Sequence, residues 1–454
     1  MAFPGLEYMI TSCVLFLREL PKTSWAKIVK VAKMARKLAQ DDPRKVFHSF
    51  KVGLAIVLVS IFYNFRPSFY GFGDNTTWAV ITVVVVMEFS VGATLGKGLN
   101  RMLATLLAGS LGVATHRVAT LCGEKGQIVL ISLSIFVAAG TVTFMRFFPE
   151  MKARYDYGML IFILTFSLVS VTGYGENELL EEACERLLTI IFGSILAITI
   201  CICICPVWIG KDLHNLVSSN IEKLAQFFQG FGDDYFDDSK NNTVVVVDKS
   251  FLQGYKSVLN SKTTEENMAN LARWEPCHGN FKFGHPWKQY LKIGALTRAC
   301  AYKIEALNVY TNSEQTTPNE LRIKIQESCR NVSSECGKAL KESSLSVRNM
   351  IMSTGPNPHV ANAKNAAESL KFILRTNPWE GADLLQITQA AGVASLLIDV
   401  VGSIEKICQA IDELASLAKF KKIETTEPTQ LLHRGMVQPI PRDDGSDHVI
   451  TMAE

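Results

Sequence analysis

About six apolar stretches follow one another between Val52 and Ile209, each near the ~20 residues that carry a helix across ~30 Å of hydrocarbon. Segments 127–145, 157–175 and 187–209 contain no formal charge and mark the fourth, fifth and sixth spans. The first three are less regular. Segment 52–65 is short unless Phe47 and Phe69 extend it, 78–96 is interrupted by Glu88, and 102–115 lies between Arg101 and the pair His116 and Arg117. After Pro206 the pattern changes to amphipathic helices, with apolar residues recurring at three and four in 251–259, 287–310, 319–352, 360–374 and 382–420. Segment 214–230 reads as an amphipathic helix leaving the membrane, and FGDDYFDDSKNN as an acidic, turn-rich linker. Pro318 suits a first helical turn, while Pro356, Pro358 and Pro378 separate helices.

The pattern predicts an all-α membrane protein, with about six transmembrane helices followed by a C-terminal cytosolic helical domain. Residues 1–47 form a cytosolic amphipathic segment, 48–210 the transmembrane pore domain, 211–420 the helical domain and 421–454 a disordered tail too poor in apolar positions for a core. The run 8–17 reads as an interfacial or packed helix and not a secretory signal, because Glu7 and no basic residue precedes it.

Charge orients these spans. Lys22, Lys27, Lys30, Lys33, Arg36 and Lys37 precede the first span, and Arg146, Lys152 and Arg154 follow the fourth, which places both segments inside. Glu176, Glu178, Glu181, Glu182 and Glu185 place the connection before the sixth span outside, leaving both termini cytosolic. The net charge of +3 averages two unlike halves and identifies no partner, nucleic acid included.

Candidate chemistry lies in the membrane, where the few charges are largely Arg and Lys without obvious acidic partners. Ser90, Thr94, Lys97, Arg101 and Thr105 recur at intervals of four, three, four and four, which puts them on one helix face. Glu182, Arg186, Thr189 and Gly193 form a second stripe. An Arg at membrane depth costs ~2.5–3.5 kcal/mol and cannot deprotonate, so a carboxylate, water or a passing anion must compensate it. Hydroxyls at the same depth replace part of an anion's hydration shell, provided binding stays weak. Structural readings stand beside this one. Lys97 and Arg101 can snorkel to headgroups, Arg186 can pair with Glu182, Arg146 can anchor an interface, and Glu88 can neutralise a cation on another helix.

Other clusters carry less. Cys201, Cys203 and Cys205 in ICICICP read as small buried hydrophobes, and Cys277, His278 and His285 match no common zinc spacing, so neither metal nor cofactor is expected. No nucleophile elbow or phosphate loop points to an enzyme.

The strings TWAVITVVVVMEFSVGATLGKGLNR, RFFPE with KARYDYGMLIFILTF, CPVWIGKDLHNL and ARWEPCHGNFKFGHPWKQY resemble the plant aluminium-activated malate transporter family over about 41–420. More remotely, the membrane block is similar to fusaric-acid-resistance and aromatic-acid-exporter proteins. The resemblance implies an anion channel passing malate and inorganic anions through the plasma or vacuolar membrane, built as a homodimer with one pore on the two-fold axis. It implies that Arg101 and Arg186 line the pore, with Lys97 a neighbouring candidate; the two stripes add Thr94 and Thr189, and Arg146 is a further candidate read from its position. Hydropathy puts Arg101 near the inner end and Arg186 near the outer, so they share a constriction only if spans are tilted or broken. Asp74, Glu176, Glu178 and Glu181 are the carboxylates open to an external cation, though a solvated acidic loop is the simpler account of them. Trp274 to Pro276 is expected to be a structural turn joining the helical domain to the membrane block or a partner subunit. A proton-linked organic-acid carrier using Glu88 and a membrane-tethered scaffold are the alternatives.

Overall fold

The computed structural model describes residues 22–64, 77–171, 176–236, 250–312, 319–352, 355–376 and 384–422. An exposed basic helix, α1 (Lys22–Asp41), precedes the first membrane helix, α2 (Pro43–Asn64). Asp42 separates them. Its carboxylate accepts from the Arg44 backbone N–H at 3.2 Å while Pro43 fills the first helical position, where a missing N–H is harmless.

The sequence pattern takes 78–96 as one span, and the structure corrects this. Helix α3 (Thr77–Val86) has ten residues, ~15 Å or half a bilayer, and the next helix, α4 (Val91–Thr120), has 30. The break falls at Met87 to Ser90, ahead of the glycines. Ser90 caps α4 by accepting from the Ala93 N–H at 3.3 Å. Three further helices complete the block: α5 (Gly123–Met145), α6 (Pro149–Val171) and α7 (Glu176–Cys203). Helices α4 and α6 run parallel, since Arg101 meets Tyr157 while Gly112 meets Val169. Helices α4 and α7 run antiparallel, Thr94 facing Cys201 and Gly98 facing Ile198. Small residues permit the close approaches, as at Gly193, which lies against the Ala79 carbonyl of α3.

The helical domain starts with α8 (Ile209–Phe236) and continues through α9 (Tyr255–Leu259), α10 (Lys262–Ala272), α11 (Trp287–Asn312), α12 (Asn319–Asn349), α13 (Pro358–Arg375) and α14 (Leu384–Ala418). Its core centres on Phe227, Phe228, Phe231, Tyr255 and Tyr290, and a short parallel pair of Ile351–Met352 with Lys421–Lys422 ties the chain after α12 to the chain after α14. Six described helices are long and apolar enough to cross a membrane, but only five of them lie in the membrane block. The sixth, Ile387–Ala418, belongs to α14, whose Val393, Leu397, Val400 and Ile404 are enclosed in the domain core. The apolar window of α14 is 44% buried, that of Cys184–Cys203 in α7 39% and that of Lys125–Met145 in α5 not at all, so what distinguishes α14 is its place in the domain core and not the extent of its burial.

Block and domain are joined at one end of the spans. Arg44 at the start of α2 donates to both oxygens of Asp212 in α8, at 2.9 and 3.2 Å, and the Val91 N–H donates to the Val207 carbonyl at 3.1 Å. The chain therefore enters the block beside the point where it leaves.

Candidate functional site

The buried face of α4 is the stripe that the spacing picks out. Ser90, Thr94, Arg101 and Thr105 are all buried within the chain, whereas Leu103, Leu106, Leu107 and Leu111 on the opposite face are exposed. The stripe thus faces α6 and α7, and the leucines face outward.

The break between α3 and α4 decides what two of its members do. The Thr94 hydroxyl accepts from the Glu88 N–H at 3.0 Å and lies within hydrogen-bond distance of the Glu88 and Ser90 carbonyls, at 3.2 and 3.1 Å. It staples the break. Lys97 forms an ion pair with Glu88, and its ammonium sits 5.5 Å above the Tyr157 ring. On one continuous helix these two residues would lie nearly opposite, so the break brings them together. The expectation that the intramembrane cations lack acidic partners is corrected here, and again at Arg146. That guanidinium donates to Asp156 through Nε at 2.7 Å and Nη2 at 3.3 Å, a bidentate pair at the α5–α6 turn.

Arg101 is different. It is 4% exposed, and Nη1 donates to the neutral Tyr157 hydroxyl at 3.1 Å while its buried Nε has no partner. Among the described residues no carboxylate pairs with it. Tyr157 is a site residue that the sequence reading missed. It stands in the YDYG string, but nothing in the spacing announces that its hydroxyl meets Arg101 while its ring meets Lys97.

Arg186 lies elsewhere along the block. Its guanidinium carbon sits 5.3 Å from the centroid of the Trp78 ring on α3, a cation–π contact. The Thr189 hydroxyl donates to the Arg186 carbonyl at 2.9 Å and is fully buried. Taking Gly98 opposite Ile198 as the reference level, Arg101 is ~4.5 Å and Arg186 ~18 Å toward the far end, so they stand ~13 Å apart in depth. Within a chain the two residues therefore stand at different depths. Asp74 lies outside the described residues, as do the side chains of Glu176, Glu178 and Glu181.

Lys51 is a second residue the sequence reading missed. It is fully buried in α2, and its ammonium donates to the Cys205 carbonyl at 3.3 Å, just beyond the C-terminal end of α7 where the helix dipole favours a cation.

Beneath the break, the domain grips the block through Trp274 and Glu275. Trp274 packs on Gly96, and a Cβ there would lie 3.1 Å from its ring. The Glu275 carboxylate accepts from the Ile209 and Gly210 N–H groups at 2.6 and 3.1 Å, capping α8. Burial pushes its pKa up to about 7, against the lowering effect of these two bonds. The segment joins the domain to the block, as its sequence suggests. Nearby, His278 stacks on Trp208 at 3.9 Å, the Cys277 sulfur accepts from the Phe283 N–H at 3.1 Å, and His285 meets the Tyr290 hydroxyl at 3.1 Å. These side chains serve packing, and no group of three or more potential metal ligands occurs among the described residues.

Comparison with known proteins covers both parts of the chain. The profile of a family described as "Aluminium activated malate transporter" matches residues 36–379. Aluminum-activated malate transporter 2 of Arabidopsis thaliana is 47% identical over 428 residues, covering 94% of this chain and 85% of its own length. Aluminum-activated malate transporter 1 of Triticum aestivum is 42% identical over 445 residues, covering 95% of each.

Proposed function

The chain belongs to the aluminium-activated malate transporter family, and on that premise we propose that it conducts malate and inorganic anions passively across a membrane, with Arg101 and Arg186 attracting the anion. The domain-bearing face of the block is cytosolic in this reading, which puts both termini in the cytosol.

The observation that carries the proposal is Arg101, a permanent cation 4% exposed inside the apolar block and bonded to a neutral hydroxyl. A guanidinium without a carboxylate keeps donors for a passing one, and its fork matches malate at either end. A neutral partner also holds the site below the affinity at which an ion stays bound. Lys97 and Arg146 have carboxylate partners and serve as scaffold, Thr94 fixes the break that aims Lys97, and Arg186 is the second station ~13 Å further along. Glu88 neutralises Lys97, which leaves a proton-coupled carrier without its expected free carboxylate. A homodimer with the route near its two-fold axis completes the reading.

The test is reconstitution of the full chain in a planar bilayer, with malate on one side and chloride on the other. Currents reversing near the anion equilibrium potentials, and falling roughly tenfold in Arg101→Ala and Arg186→Ala at unchanged assembled mass, are the expected outcome. Arg101→Lys keeps the charge but not the fork and falls between. Flux that requires a proton gradient and carries no channel-sized current would replace the channel with a carrier, and a monomeric mass would remove the dimer.

A further inference from the structure

Helix α1 (Lys22–Asp41) is exposed from Trp25 to Leu38, and no described element covers it. It is strongly two-faced. At 100° per residue, Lys30, Lys33 and Lys37 share one side, while Trp25, Ile28, Ala32, Ala35 and Ala39 recur at three, four, three and four on the other. Val31 and Leu38, 62% and 52% exposed, widen the apolar side. Lys27 and Arg36 stand on its two borders, where long stems can lie along an apolar surface and lift their charges to headgroups. No acidic residue interrupts the helix before Asp41.

We propose that α1 is an interfacial helix that recognises anionic lipid headgroups in the leaflet on the domain-bearing side, its apolar face sunk at the acyl boundary and its lysines on the phosphates and carboxylates above. Two observations select this occupant. Only Asp42 separates α1 from α2, so the helix ends at the membrane face, beside the Arg44–Asp212 contact that binds block to domain. The charge is also of one sign. Five cations between Lys27 and Lys37 complement an anionic surface, whereas a second copy of the helix would bring five more cations to the same contact. The proposal stands on α1 alone and does not depend on how anions pass.

The experiment is hydrogen exchange on the full chain in lipid nanodiscs of pure phosphatidylcholine and of phosphatidylcholine with about one third phosphatidylserine. Amides 25–38 are expected to exchange about tenfold more slowly in the anionic discs. Replacing Lys27, Lys30, Lys33 and Lys37 together with Gln is expected to abolish that difference, while the amides of α8 and α12 keep their protection as a control on folding. Equal exchange in the two discs would overturn the proposal. Protection that persists unchanged in detergent and follows protein concentration would overturn it in favour of a second copy.

Discussion

Arg101 and Glu265 are both buried charges, and the chain treats them in opposite ways. Glu265, fully buried in α10, is paired with Arg298 and accepts from Ser261 at 2.8 Å and Asn220 at 3.3 Å. The domain thus closes its buried charge inside a network, while the block leaves Arg101 its donors. Removing one member of such a pair strands the other, so Arg298→Ala is expected to destabilise the domain by ~3–5 kcal/mol, read from chemical denaturation. Glu275 offers a titration at the junction. Its carboxyl holds a proton to about pH 7 in the folded chain and to about 4.5 unfolded. Its contribution is therefore fully present below about 4.5 and lost as pH rises through about 7. His285 works the other way. Burial lowers it to about 4 from 6.5, so its contribution is present above 6.5 and lost as pH falls through 4. The melting temperature of the wild type relative to Glu275→Gln is expected to fall between about pH 5 and about pH 8, while the His285 effect, common to both, cancels.

At the scale of elements, the break between α3 and α4 organises the site. A continuous helix through 78–96 would point Glu88 away from Lys97. Stopping α3 at Val86 and restarting at Val91 turns the carboxylate back onto the ammonium, and the Thr94 hydroxyl holds the turn. The first turn of α4 then docks on the domain. A Cβ at Gly92 would run into the Leu271 carbonyl oxygen, which is backbone and cannot swing aside. Gly92→Ala is expected to push α4 off α10, with protease cutting between block and domain sped up several-fold while the isolated domain melts as before. An unchanged cleavage rate would show that the junction tolerates the shift. The glycines of this segment thus act by close approach and do not break the helix.

Across the whole molecule, the division between lipid and water does not follow hydropathy alone. Helix α14 has the length and composition of a span, yet it packs against α11, α12 and α13 in a core that also holds Leu340, Leu370 and Ile304. Its apolar residues are satisfied by protein. Glycosylation acceptor sites placed at 377–383 and after Lys422 are expected to share one fate in microsomes, both unmodified in the orientation proposed above, because a helix enclosed in the domain keeps its two ends on one side of the membrane. Modification at one of them alone would make α14 a span.

Legible in the chain itself were the helical class, the α4 stripe and the junction at Trp274 to Pro276. Such features are local or one-dimensional: apolar length measured against bilayer thickness, the three-and-four recurrence of a buried face, and long strings shared with a family. Three things needed the tertiary structure. These are the pairing of Lys97 with Glu88 and of Arg146 with Asp156, the enclosure of α14, and the ~13 Å between Arg101 and Arg186. Each depends on distances through space set by where helices stop and which faces meet. Composition determines that a cation or an apolar helix must be compensated, and only the packing of the other helices decides whether a carboxylate, a hydroxyl, lipid or protein does so.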